Sequence, residues 1–284
     1  KKVYSEILTD LKPANIRIGA YWNEIERENN NYDFESLDWE VAEASKTNTK
    51  MVIVLGMKTP RWPECHIPDW AKDLGTAERE AELREYMALV IERYKDNLSI
   101  KTWQVENEPF LKFGECPIRE EGFLQKEIDL VKSIDPTRPI LITDGGELGD
   151  WYRALKHGDE FGTTMYRRVY PNIIGPFFGV VEYPLEPSYF ILKKFIVSRL
   201  AGVPNKRFMV SELQGEPWGP NVTYEDQMAI FSFDYFKELL DYANEANFDE
   251  YYLWGVEWWY DLKTKHNDPR FWNEFKRLNE QPYE

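Results

Sequence analysis

Two rhythms of apolar residues alternate along this chain. Val3, Ile7, Leu8 and Leu11 recur on one helical face, and Pro13 stands where such a helix must stop. Asn15 to Tyr21 reads as a short buried strand, and Asp38 to Ser45 lies within a helix. Met51-Val52-Ile53-Val54-Leu55-Gly56 is apolar without interruption and β-branched, as suits a parallel strand covered on both faces. The charged amphipathic stretch Ala77 to Tyr94 leads to a strand around Trp103, and Gly122 to Ile134 is helical until Asp135-Pro136 ends it. Pro139 to Asp144 is the next strand, followed by helix from Trp151 to Leu155, strand from Phe161 to Tyr166 and helix from Pro187 to Leu200. Phe208 to Glu212 is strand and Glu225 to Ala246 one helix; Tyr251 to Trp259 is predicted as the last strand and Pro269 to Leu278 as the last helix.

Strand and helix therefore alternate throughout, with no composition shift to mark a linker and no repeat. That is the α/β pattern of a parallel sheet. Gly145-Gly146 is too little for the glycine-rich phosphate turn of an open nucleotide-binding sheet. The pattern predicts instead a closed (β/α)8 TIM barrel forming a single domain over residues 1–284. Only seven strands can be found, and the deficit is at the front, because helix begins almost at Lys1. The expectation is that the first strand has been lost by truncation, that the Asn15 and Tyr251 strands flank the gap, and that the exposed edges permit self-association.

Composition narrows the partners. Asp and Glu number 50 against 35 Lys and Arg, and a net charge of −15 argues against nucleic acid, whose phosphates require clustered cations. No apolar run is long enough to span a membrane. Aromatic residues make up 15% of the chain and Trp alone numbers 11, more than a core needs and suited to a sugar-binding cleft. Cys65 and Cys116 each follow a strand on neighbouring loops, where a bridge and two free thiols are equally open. Asn97-Leu98-Ser99 and Asn221-Val222-Thr223 match the glycosylation tripeptide, a common chance pattern. The three histidines are scattered without paired ligand spacing, so neither metal nor other cofactor is expected.

Two strands end on glutamate: Trp103-Gln104-Val105-Glu106-Asn107-Glu108-Pro109 and, about a hundred residues on, Phe208-Met209-Val210-Ser211-Glu212. With the missing strand counted, these are the fourth and seventh of a barrel. Asn-Glu-Pro at the end of a fourth strand and Ser-Glu at the end of a seventh resemble the retaining glycoside hydrolases of clan A, the group of cellulases, mannanases, xylanases and β-galactosidases, over nearly the whole chain. The resemblance implies a carbohydrate substrate, with Glu108 as acid/base and Glu212 as nucleophile of a double displacement. It implies further that Arg17 hydrogen-bonds the nucleophile, that Asn107 meets the sugar 2-hydroxyl and that Trp258, closing the last strand, floors the cleavage site. By position in the same strand, Trp254 reads as core and Trp259 as outward-facing. Tyr166 is either a donor to Glu212 or a core tyrosine. Trp22, Trp62 and Trp218 follow strand ends and either line the cleft or pack; Glu257 is at most a hydroxyl contact, and Lys58 and His66 are polar candidates from the third loop. A noncatalytic carbohydrate-binding barrel is the alternative.

Overall fold

The computed structural model describes residues 1–170, 175–219 and 223–280; the tripeptide at Asn221 falls outside them in part. The strands are β1 (Asn15–Gly19), β2 (Lys50–Leu55), β3 (Ile100–Val105), β4 (Ile140–Asp144), β5 (Glu160–Met165), β6 (Arg168–Val169), β7 (Val181–Glu182), β8 (Arg207–Gln214) and β9 (Glu250–Trp254). Seven of them form one sheet in the order β1-β2-β3-β4-β5-β8-β9, and β6 and β7 make a separate two-stranded ribbon that the apolar pattern did not announce. With helices between the strands, this is the (β/α) barrel fold. Among the described residues β1 and β9 are the ends of the sheet, and Lys2–Glu6 is helical.

The chain divides into two compact units. The first comprises Ala14–Asp144 and Asp150–Gly162. Its strands are parallel, Asn15 beside Lys50, Leu55 beside Val105 and Trp103 beside Ile140, with one register shift between Met51 and Val52 where β2 meets β3. Met51 to Leu55 are all fully buried, which is why β2 carries no polar residue after the exposed Lys50. The helix Thr76–Tyr94 buries Leu83, Met87, Val90 and Ile91, one stripe of its circumference, and near its start buries Arg79 and Glu80 as well. Parallel pairing puts the carboxyl ends of β1 to β4 at one edge. The segments after them emerge there together.

The second unit comprises Lys1–Pro13, Gly145–Gly149 and the chain from Thr163 on. Its amino-terminal helix continues from Lys2–Glu6 through one π turn at Ile7–Leu11. Asp10 fastens it, accepting from Lys276 Nζ at 2.6 Å and Trp272 Nε1 at 2.7 Å, and these donors lower its carboxyl to a pKa of about 2. The stretch expected as one helix from Glu225 to Ala246 is two, Tyr224–Ile230 and Phe233–Ala246. Phe231 leaves helical geometry to bury its ring beside Trp258 and Phe271, and Ser232 caps the second helix by accepting from Tyr235 N.

The end of the last strand also differs from expectation. β9 stops at Trp254, Gly255 turns the backbone with φ of 108°, and Val256–Lys265 is helix. A Cβ at Gly255 would lie 2.6 Å from Glu216 Cβ, so only glycine fits the turn. The run of Tyr, Trp and Val has strand propensity along its whole length, and the glycine overrides it. Trp258 thus belongs to a helix rather than a strand end. Trp259 is buried with its Nε1 on Gly215 O at 2.6 Å, and Trp254 is half-buried, reversing the core and surface assignments read from alternation.

Candidate active site

In the first unit the chain leaves β3 through two unusual residues. Glu106 has φ of 59° and Glu108 of 43°, both in the left-handed region that non-glycine residues seldom occupy. Glu106 is held by what surrounds it. Its two carboxylate oxygens accept from Met57 N and Lys58 N, each at 2.8 Å, and Arg119 Nη2 lies 2.9 Å away. Gly56 has φ of 115°, and a Cβ there would come within 2.5 Å of Glu106 Oε1; its lack of a side chain admits the carboxylate. Behind lies Glu127, fully buried, whose carboxyl is pushed far above its usual range by burial and by the Glu106 charge.

The next two residues are braced from every neighbouring strand of this unit. Arg17 Nη2 donates to Asn107 Oδ1 at 2.8 Å and Arg17 Nε to Gln104 Oε1 at 2.7 Å. Gln104 Nε2 turns back to Glu106 O at 2.9 Å. Glu108 N donates to Thr143 Oγ1 at 2.9 Å, while Lys58 Nζ reaches Glu108 O at 3.1 Å and Leu111 O at 2.9 Å. Lys58 is buried, and desolvation lowers its pKa against the opposing charges of Glu108 and Glu64. Both backbone polar groups of Glu108 are thus fixed, and the side chain is aimed by a frame of hydrogen bonds.

Beside this frame the loops after β2 and β3 are joined by a disulfide between Cys65 and Cys116 and by Glu115 N on Pro63 O at 3.0 Å. They carry Trp62, 64% exposed and edge-on to Phe113 with centroids 6.2 Å apart. Trp22 is different. It is fully buried in the short helix Trp22–Ile25, with Nε1 on Glu26 Oε2 at 2.7 Å and its ring against Trp70 and Tyr86, so it is a core residue and not a lining of any cleft. His66 faces inward too, its Nε2 3.1 Å from Arg61 O.

In the second unit Glu212 lies within β8 rather than beyond it. β8 pairs Val210 with Tyr251 but Leu213 with Leu253, so Ser211-Glu212 holds one extra residue, a bulge. Bulges re-aim side chains, and this one carries the glutamate. Ser211 Oγ donates to Thr163 O at 3.2 Å, and Tyr166 Oη donates to Glu212 Oε2 at 3.1 Å. Trp218 stands edge-on to Tyr166 with centroids 5.0 Å apart. Tyr166 N in turn donates to Glu147 Oε1 at 2.9 Å, and burial raises the Glu147 carboxyl to a pKa of about 7, with Lys193 and Arg167 opposing. Glu257 is exposed, and Trp258 donates Nε1 to Gln227 Oε1 at 2.9 Å.

Sequence reasoning passed over Gln104, Glu106, Thr143 and Glu147. Gln104 left a signal, a polar residue inside a buried apolar strand. Glu106 and Glu147 left none, because a buried glutamate and a surface one are the same letter.

The model of the family described as Glycosyl hydrolase family 10 matches residues 16–127, a span that holds Arg17, Asn107 and Glu108 and ends before Glu212. Among solved structures, the β-galactosidase of the psychrophilic Marinomonas ef1 is similar with a TM-score of 0.62 at 12% identity, over 88% of this chain and 51% of that one. The fold the chain shares with it is the (β/α) barrel. The cold-adapted β-galactosidase of Rahnella sp. R3 has a TM-score of 0.64 at 11% identity, over 98% of this chain and 53% of its own. Xylanase 10B of Thermotoga petrophila RKU-1, in complex with xylobiose, has a TM-score of 0.60 at 14% identity, over 98% of this chain and 89% of its own. The chain spans about half the length of these β-galactosidases. No curated protein matches it in sequence.

Proposed function

We propose that the protein is a retaining glycoside hydrolase that cleaves β-glycosidic bonds of an oligo- or polysaccharide, with Glu212 as nucleophile and Glu108 as acid/base. The observation that carries the reading is the phenol of Tyr166 at 3.1 Å from Glu212 Oε2, on a carboxylate that a bulge turns out of regular strand geometry. A phenol donating to one oxygen orients the carboxylate for attack at an anomeric carbon. Glu108 supports the complementary role because its backbone is fixed at both ends while its carboxyl is not the group that anchors the loop; Glu106 does that.

In the first half-reaction Glu108 protonates the leaving oxygen as Glu212 bonds to the anomeric carbon. In the second, Glu108 takes a proton from water, which displaces Glu212 and restores the configuration. Asn107, held by Arg17, is the proposed contact to the sugar 2-hydroxyl. The similar structures, β-galactosidases and a xylanase with xylobiose, favour a β-linked galacto- or xylo-configured substrate.

The test uses aryl β-galactosides and β-xylosides. Glu212→Gln is expected to lose at least ~10³-fold in turnover with every leaving group, whereas Glu108→Gln should lose least with a dinitrophenyl group that needs no protonation. Azide added to Glu212→Gly should give the α-glycosyl azide and, with Glu108→Gly, the β-anomer. Hydrolysis undiminished in Glu212→Gln would overturn the assignment. Oligosaccharide binding without turnover in the unsubstituted chain would favour a noncatalytic carbohydrate-binding protein.

A further inference from the structure

The helix Pro187–Leu200 in the second unit is inside out. Ile191, Leu192, Phe195, Ile196 and Leu200 recur at i, i+1, i+4, i+5 and i+9, which is one helical face, and that face is the exposed one. Its lysines point the other way. Lys193 Nζ donates to Gly146 O at 2.7 Å and Lys194 Nζ to Asn247 O at 2.6 Å, so the cations are tied down against the chain's own carbonyls. Arg199 folds back as well, with Nη1 on Phe195 O at 3.0 Å and its guanidinium 3.5 Å from the Phe195 ring centroid.

These five side chains are each between 43% and 69% exposed. They offer on the order of 500 Å² of apolar surface, at the upper end of what monomers leave in one patch, and about 1,000 Å² when two copies meet. We propose that this face is a docking surface for a second copy of the chain, the two helices packing antiparallel across a two-fold axis near Phe195. Three observations choose that occupant. The apolar area is of the size a stable dimer needs when doubled. The five residues of the stripe carry no charge of their own, Arg199 lying over Phe195 from the flank, and a two-fold axis sets the same patch against itself. The helix lysines are tied to the chain's own carbonyls, on a chain of net charge −15, which disfavours an anionic membrane.

Sedimentation equilibrium between about 1 and 100 µM should give a monomer–dimer equilibrium, and Phe195→Glu should weaken it at least ~100-fold by burying two like charges at the axis. Leu98→Glu, at an exposed leucine of the other unit, should leave it unchanged. Cys65 and Cys116 are paired, so Phe195→Cys introduces the one reactive thiol, and mild oxidation should link two chains through it. A chain monomeric at the highest concentration, a dimer indifferent to Phe195→Glu, or capture by phosphatidylserine vesicles in place of dimerisation would overturn the proposal.

Discussion

The ends of β3 and β8 present a glutamate by opposite means. After β3 the chain abandons strand geometry at once, passes through two left-handed residues and presents Glu108 three residues beyond Val105. Left-handed backbone at non-glycine residues costs energy, and here Glu106 offsets it with two backbone N–H donors and an arginine. β8 instead stays a strand through Gln214 and turns Glu212 with a single bulge. One end is held by buried charge, the other by the sheet. Substitutions should separate the two designs.

The largest expected effect is at the charged end. Glu106→Ala leaves Arg119 partly buried without its carboxylate and two backbone N–H groups without an acceptor. Breaking one side of a buried ion pair costs about 3–5 kcal/mol, and the urea midpoint should fall accordingly. A comparable change on the β8 side, Ser211→Ala, removes one neutral hydrogen bond and should cost about 1 kcal/mol. Equal losses would mean that Glu106 is not what holds the loop.

The second effect belongs to the β8 side and depends on pH. Glu147 is raised to about 7 in the fold by burial, against the opposing pull of its own N–H, the Tyr166 N–H and the cations Lys193 and Arg167. A carboxyl that binds its proton more tightly folded than unfolded stabilises the fold at low pH. That stability is lost as pH rises from about 4.5 through about 7, amounting to on the order of 3 kcal/mol. Glu147→Gln, which keeps an oxygen acceptor for Tyr166 N, should match the parent at pH 5 and be more stable at pH 8. Glu127 shifts in the same direction in the first unit, so the difference between parent and variant is the quantity to read. Parallel stability profiles for the two proteins would refute the assignment.

Third is the hydrogen bond itself. A donor to a charged acceptor contributes about 1.5–3 kcal/mol, so Tyr166→Phe should lower kcat/KM about 10- to 100-fold against aryl glycosides while the protein stays folded. An activity within twofold of the parent would show that the bulge alone orients Glu212.

Sequence told much of this frame and little of its fastenings. The seven sheet strands were legible because parallel strands buried on both faces are written as unbroken apolar runs, as Met51 to Leu55 are. The helix break at Phe231 and the turn at Gly255 were not, because each is decided by a ring or a carbon atom from a distant segment that local propensity does not see. Trp22 misled for a related reason. It follows a strand end, as cleft residues do, but Trp70 and Tyr86 close over it. The bulge at Ser211-Glu212 was illegible too, since register is a property of two strands and the sequence shows one at a time.

The smallest effect should distinguish the two exposed indoles. Trp62 touches Phe113 on loops closed by the disulfide, while Trp218 stands against Tyr166. Neither should change stability by more than about 0.5–1 kcal/mol on truncation to alanine, as expected of partly exposed side chains. Their kinetic signatures should differ. Trp62→Ala leaves the hydrogen-bond frame of Glu108 untouched, so a small aryl glycoside should be cleaved normally and only KM for longer oligosaccharides should rise, about 3- to 10-fold, by loss of a ring on which a sugar packs. Trp218→Ala removes the neighbour that fixes the Tyr166 ring, and so should lower kcat for small and long substrates alike. A Trp62→Ala protein impaired on the aryl glycoside would show that the disulfide-closed loops help to hold Glu108. The two ends would then depend on aromatic packing in the same way.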